Sequence, residues 1–288
     1  MDIKDHINPA YIKAYEAIKE REDAYWQDIC PLVLYLPHGI KAGATSFVAL
    51  STISTIEKEH QRILEVPQEG SRAFNITHTL VVCMDEADLN EYWRTFAWAI
   101  DKLGLWKCYS FERGHRVIKR IHGDTGSGRV LNEIVFTTVS PEDFVWKQSE
   151  HCVGKVQVYS PSCNKEYPAP NFSRLIVAET ARFGASEIWQ IFQSLPNLQI
   201  ALFDYHPDTH KRHWLNGGAE MWGSDYNGPL PGDRLGKVFK ATYQTIERGW
   251  IQGTGPLDSS NFYTDAIITQ EFEPEVFQNK YLGLAPKA

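Results

Sequence analysis

The loop His38-Gly-Ile-Lys-Ala-Gly-Ala-Thr45 lies between the apolar run Pro31 to Leu36 and a helical pattern that starts at Ser46. A phosphate-binding loop works through backbone N–H groups at a helix N-terminus, where the macrodipole also favours negative charge. Its lysine reaches the β- and γ-phosphates, and the Ser or Thr that follows holds Mg²⁺. Here Gly43-Ala44-Thr45 stands where Gly-Lys-Thr would stand. The lysine position is alanine, and Lys41 is the nearby cation. Taken alone, the loop reads better as a plain strand-to-helix turn.

Three other segments carry groups that could do nucleotide chemistry. Gly123-Asp-Thr-Gly-Ser-Gly-Arg-Val130 has the glycine spacing of a phosphate loop, with Arg129 in the lysine position. Such a loop must launch a helix, whereas Leu131 to Val139 is β-branched and strand-like, so a hairpin turn is the better reading. Asp85-Glu86 follows the apolar run Val81 to Met84, as a Mg²⁺-binding acidic pair would. No later helicase motif follows, and an acidic first turn of a helix explains the pair better. Glu179 closes the buried run Phe172 to Ala178. A carboxylate at the C-terminal end of such a strand can orient or deprotonate water; it can equally cap a helix.

The segment Asp204 to Trp214 packs His206, His210 and His213 into eight residues. Histidines four apart can share a helix face and bind zinc, as in metal-dependent hydrolases. Pro207 breaks that helix and no HExxH glutamate is present, so a solvated strand end is the better reading and no structural metal is expected.

The elements that must position these groups alternate. An amphipathic helix spans 9 to 23. Strands are expected at 31–36, 78–84, 153–159, 172–178 and 198–205, with a hairpin from 116 to 139. Helices are expected at 46–64, 89–103 and 185–195. This order predicts an α/β fold, a mostly parallel sheet covered by helices on both faces. The 38–45 loop, Glu179 and His206 should then gather at one edge of it. The stretch from Asn216 to Asp233, rich in Gly, Pro, Asp and Asn, reads as an irregular loop.

Bulk composition fits such a fold. The 288 residues are 43% hydrophobic and 23% charged, as in ordinary globular proteins. A net charge of −7 excludes a broadly basic nucleic-acid coat but not a local DNA-binding stripe. Five cysteines without a CxxC pair fit free thiols in a reducing compartment. The charged N-terminus holds no signal-peptide core, and no apolar stretch reaches the ~20 residues of a membrane span.

Read together and in order, these segments resemble the ATPase domain of phage terminase large subunits, the PBSX-like branch especially. Asn8-Pro9-Ala10-Tyr11 matches the family's lead-in, and Lys41 to Thr45 its Walker A loop. Ile134-Val-Phe136 matches the strand after its hairpin, and Ala178-Glu179 its Walker B acids. His206-Pro207 with His213-Trp214 matches its Asn-Pro and His-Trp, Thr242-Tyr243 its Thr-Tyr, and Tyr281-Leu-Gly283 the domain's exit. The departures are Ala44 for the phosphate lysine, Ala178 for the Mg²⁺-side acid and His206 for the coupling asparagine. The family's nuclease domain follows this point and is not among these residues.

The resemblance implies a P-loop NTPase-like core at 31–252, a lead-in helix at 1–30 and a closing extension at 253–288. It implies ATP and Mg²⁺ as cofactors. Lys41, Gly43, Ala44, Thr45 and His206 would lie at the nucleotide, Thr45 at Mg²⁺, and Glu179 at the attacking water. Double-stranded DNA, a portal, a small terminase subunit or a separate nuclease chain are the implied partners. A homo-oligomeric ring in the host cytoplasm is the implied setting. Binding and hydrolysis should be weak or lost. The rival expectations are a non-catalytic structural or regulatory module and a metal-dependent hydrolase built on the 206–213 histidines.

Overall fold

Apolar runs become strands, buried over most of their length where the run is continuous. In the computed structural model these are β1 (Leu32–Pro37) and β2 (Thr77–Cys83), followed by β3 (Tyr109–Glu112), β4 (Val117–His122) and β5 (Arg129–Thr138). A short pair, β6 (Gln157–Ser160) and β7 (Lys165–Pro168), precedes β8 (Phe172–Val177) and β9 (Ile200–Tyr205), and β10 (Asn227–Leu230) and β11 (Arg234–Val238) come last. The helices are α1 (Ile12–Asp23), α2 (Ala44–Glu65), α3 (Glu86–Lys102), α4 (Phe262–Phe272) and α5 (Pro274–Lys280). The structure describes residues 2–23, 31–39, 42–65, 77–122, 129–138, 157–160, 165–168, 172–184, 188, 191, 195, 197–206, 227–230, 234–238 and 262–282.

The chain divides into two compact units. The first comprises Met1, Thr52–Ala178 and Ala185–Ala201, and the second Asp2–Ser51, Glu179–Gly184 and Leu202–Ala288. In the first, β2 lies between β8 and β5 with all three parallel, and β4 and β3 extend that sheet antiparallel. β6 and β7 pair separately. In the second, β1 pairs parallel with β11, and β10 closes the edge antiparallel to β11. Parallel centres with antiparallel edges make this an α/β fold, as the sequence pattern predicts. β8 and β9 are buried along their whole length. That is the signature of strands covered on both faces.

α3 shows how local signals set the elements. The Asp85 side chain accepts the N–H groups of Ala87 (2.9 Å) and Asp88 (3.0 Å), so this acid caps the helix. Leu89, Tyr92, Trp93, Phe96, Ala99 and Ile100 form its buried face, and the Trp93 and Phe96 rings each lie 5.3 Å from Phe136 of β5. Gly104, at φ 69, ends it in a Schellman turn, with Leu105 N–H bonded to the Ile100 carbonyl at 2.9 Å.

Two segments differ from expectation. The stretch read as an irregular loop, 216–233, contains β10. Gly228 and Pro229 disguise it, and an edge strand tolerates both. The C-terminal stretch, expected only as a closing extension, holds α4 and α5. The described part of the expected helix at 185–195 shows helical Ile188 and Ile191. The glycine run 123–128 lies outside the described residues, but β4 and β5 pair antiparallel on either side of it and Arg129 opens a strand. Among the described residues no helix is long and apolar enough to cross a membrane.

Candidate nucleotide site

The loop after β1 is built from the main chain. His38 N–H donates to the Tyr205 carbonyl at 3.1 Å, which ties the loop's start to the end of β9. His206 Nδ1 lies 2.9 Å from the His38 carbonyl, so that nitrogen carries the proton. Gly43 turns at φ 80, a left-handed conformation that glycine adopts without strain, and its carbonyl accepts the Phe47 N–H at 2.9 Å as α2 begins. Asn8 caps the short turn at Pro9–Tyr11 and donates through Nδ2 to the Ala42 carbonyl at 3.0 Å. Tyr11 stacks on Phe47 at 4.8 Å. The lead-in thus braces the loop. At Gly39 a Cβ would collide with the Tyr281 carbonyl oxygen, so the C-terminal segment closes on the loop where only glycine fits.

Ala44 is the first residue of α2, and its buried methyl group offers no cation. Thr45 follows, with its hydroxyl 3.3 Å from Asp204 Oδ2. Asp204 lies near the end of β9, 2% exposed, and its Oδ1 is 2.7 Å from His38 Nε2. Burial pulls the His38 pKa down. The Asp204 charge and bond, the Glu179 charge and the Gly39 carbonyl outweigh it, and together raise the value to about 9. His38 is therefore a cation at neutral pH.

Glu179 sits beyond β8 at φ 46, ψ 50, an uncommon conformation for a non-glycine residue. It precedes the short helical turn Thr180–Arg182 but makes no side-chain cap to it. Instead its Oε2 is 3.5 Å from the His206 N–H, a long contact. The start of the expected helix at 185–195 lies outside the described residues. Thr180 Oγ1 donates to the Asp204 main-chain carbonyl at 3.2 Å, tying this turn to β9 as well.

The second unit thus brings together Gly43, Ala44, Thr45, Glu179 and His206. Lys41, His210 and His213 lie outside the described residues. Sequence reasoning missed His38 and Asp204. The available signal was a single carboxylate inside the apolar run Leu198–Tyr205, since an unpaired charge is rarely buried.

No protein-family model matches the sequence, and no curated protein matches it. Solved structures do. The large terminase ATPase domain of Thermus phage P74-26 superposes with a TM-score of 0.51 at 9% identity, over 95% of this chain and 97% of that one. The likeness is one of fold. The large terminase of another thermophilic bacteriophage gives a TM-score of 0.50 at 11% identity, over 94% of this chain and 53% of the other, so this chain spans about half that protein's length.

Proposed function

We propose that this chain serves as a terminase-type ATPase domain in phage DNA packaging, with a nucleotide pocket that binds ATP weakly and hydrolyses it slowly or not at all. The observation that carries the reading is the α2 entrance. Gly43 makes the left-handed turn of a phosphate cradle, Thr45 presents a hydroxyl beside a carboxylate, and Ala44 stands between them without a cation. A charge-assisted phosphate contact contributes roughly 1.5–3 kcal/mol, so its absence weakens binding about tenfold to a hundredfold. Lys41 recovers part of this if it folds over the loop. Glu179 is the carboxylate for the attacking water, and catalysis is positioning plus electrostatics. Thr45 would hold Mg²⁺; hydroxyl and carboxylate oxygens are the hard donors that ion prefers. The packaging partners are those of the resemblance: double-stranded DNA, a portal, a small subunit or a separate nuclease chain, in a homo-oligomeric ring.

The pocket's charge favours one second reading, a nucleotide-free structural or regulatory module. Among the described residues Asp204 and Glu179 both act on His38, and carboxylates placed there disfavour a triphosphate. Calorimetry of Mg²⁺·ATP separates the two. Ala44→Lys and Ala178→Asp should together strengthen binding, and Glu179→Gln should abolish any turnover gained. Robust ATPase activity in the unaltered chain, insensitive to changes at Lys41 and Glu179, overturns the site assignment. No ATP binding, with partner binding retained, selects the module.

A further inference from the structure

Where the resemblance expects a metal-side acid, Ala178 offers a methyl group. The second unit nonetheless has a buried carboxylate near the end of β9. Asp204 divides its two oxygens: Oδ1 faces His38 Nε2 at 2.7 Å, and Oδ2 faces the Thr45 hydroxyl at 3.3 Å. Two oxygens on one octahedral Mg²⁺, each bound at about 2.0–2.1 Å, stand about 2.9 Å apart. The Thr45–Asp204 spacing is therefore within a few tenths of an ångström of a chelating pair. His38 orients the carboxylate from behind, as partners of metal-binding carboxylates do.

A separate observation points to a ligand. The Tyr11 hydroxyl is fully buried, has no hydrogen-bond partner among the described residues, and feels the Asp204 charge. Buried hydroxyls are nearly always paired, and a water carried in a cation's hydration shell would pair this one.

We propose that Asp204 is the metal-side carboxylate of this pocket, holding a divalent cation together with the Thr45 hydroxyl in place of the acid absent at position 178. The inference rests on the nucleotide-pocket reading and adds a residue to it that neither the loop nor the β8 motif contains. Asp204 and Thr45 would hold the cation, which would supply positive charge to offset that of the phosphates.

The test uses the full chain with Mn²⁺ as the probe. ATP is titrated calorimetrically in EDTA and in Mn²⁺. In the wild type Mn²⁺ should tighten ATP binding roughly tenfold or more. In Asp204→Asn that gain should vanish, while metal-free ATP binds as well or better because a carboxylate near the triphosphate is gone. An Asn variant that keeps the Mn²⁺ gain, or loses ATP affinity equally with and without metal, overturns the proposal. If Asp204→Asn fails to fold, Thr45→Val removes the other ligand, and the same two outcomes decide. If the wild type binds no ATP in either condition, the nucleotide reading fails, and electron paramagnetic resonance of Mn²⁺ alone settles Asp204. Mn²⁺ immobilised by the wild type but not by Asp204→Asn upholds its role, and no immobilised Mn²⁺ overturns it.

Discussion

The two units each bury charges, and they do so in opposite ways. In the first, the C-terminal half of α2 meets the sheet through ions. Glu57 holds Arg120 at 2.6 and 3.0 Å and accepts the Tyr109 hydroxyl at 2.8 Å, while Glu59 pairs with Arg174. Arg120 also reaches His60 Nδ1 at 3.3 Å, which leaves His60 Nε2–H to donate to His122 Nδ1 at 3.2 Å. Burial, then the nearby Arg120, lowers the His60 pKa, so that ring stays neutral. Two carboxylates meet two guanidiniums. In the second unit, two carboxylates, Asp204 and Glu179, act on one buried histidine, His38. A balanced cluster is a structural joint. The second group lies at the C-terminal ends of strands and beside a glycine turn, where ligand sites gather in α/β folds.

The largest expected effect breaks the balanced cluster. Arg120→Ala leaves Glu57 buried without its partner and should cost roughly 3–5 kcal/mol of stability. Replacing both, as Glu57→Leu with Arg120→Met, should recover most of that loss. Denaturant unfolding of the three variants checks this, and ATP affinity should not change in any that fold. A double variant as unstable as the single one would mean that the ions do more than hold a joint.

The His38 cluster should instead show itself through pH. His38 is raised from 6.5 to about 9. Its stabilising share is complete below pH ~6.5 and fades as pH rises through the folded value, by at most about 3 kcal/mol. The groups around it are Asp204 on β9, Glu179 beyond β8, the Gly39 carbonyl in its own loop and the His206 ring. Stability measured in EDTA from pH 6 to 10 should fall across that window, and His38→Gln should flatten the fall. A wild-type profile already flat from pH 6.5 to 9 would show that Asp204 does not hold the charge on His38.

Much of the frame behind this contrast was legible in the sequence. β1, β2, β8 and β9 are unbroken apolar runs, and α3 carries its cap, its period and its stop signal in order. That the loop and Glu179 would stand at the ends of strands was legible too, because each follows an unbroken apolar run. Asp204 was not, because a lone acid in a strand carries no spacing motif and only its burial marks it. β10 hid behind Gly228 and Pro229. α4 hid because Ile267, Ile268 and Phe272 are exposed, so its apolar residues do not follow the inward face of a helix. The balanced cluster was illegible for another reason: Glu57, Arg120 and Tyr109 are distant in sequence and meet only through the pairing of β3 with β4 and the crossing of α2.

A smaller effect separates the loop from what braces it. Gly39→Ala places a methyl group against the Tyr281 carbonyl and should cost roughly 1–3 kcal/mol. The C-terminal segment should become more sensitive to protease as it is pushed away. Unchanged stability and protease resistance would mean that this segment does not close on the loop.

The smallest expected effect concerns the acidic pair that imitates a metal site. Asp85 accepts the Ala87 and Asp88 N–H groups of its own helix, and Glu86 pairs with Arg116 at 3.2 Å on the surface. A cap of this kind contributes about 1 kcal/mol, and an exposed ion pair contributes less. Asp85→Ala should therefore lower stability by about 1 kcal/mol. Asp85→Asn should lose less, since its side-chain oxygen still accepts and only the favourable charge at the helix start is gone. Neither should alter ATP affinity or its dependence on Mn²⁺. Asp204→Asn should do the reverse, changing the metal response by far more than Asp85→Asn does. Loss of the metal response in Asp85→Asn, with α3 intact by circular dichroism, would move the acidic site from the second unit to the first and reverse the contrast between them.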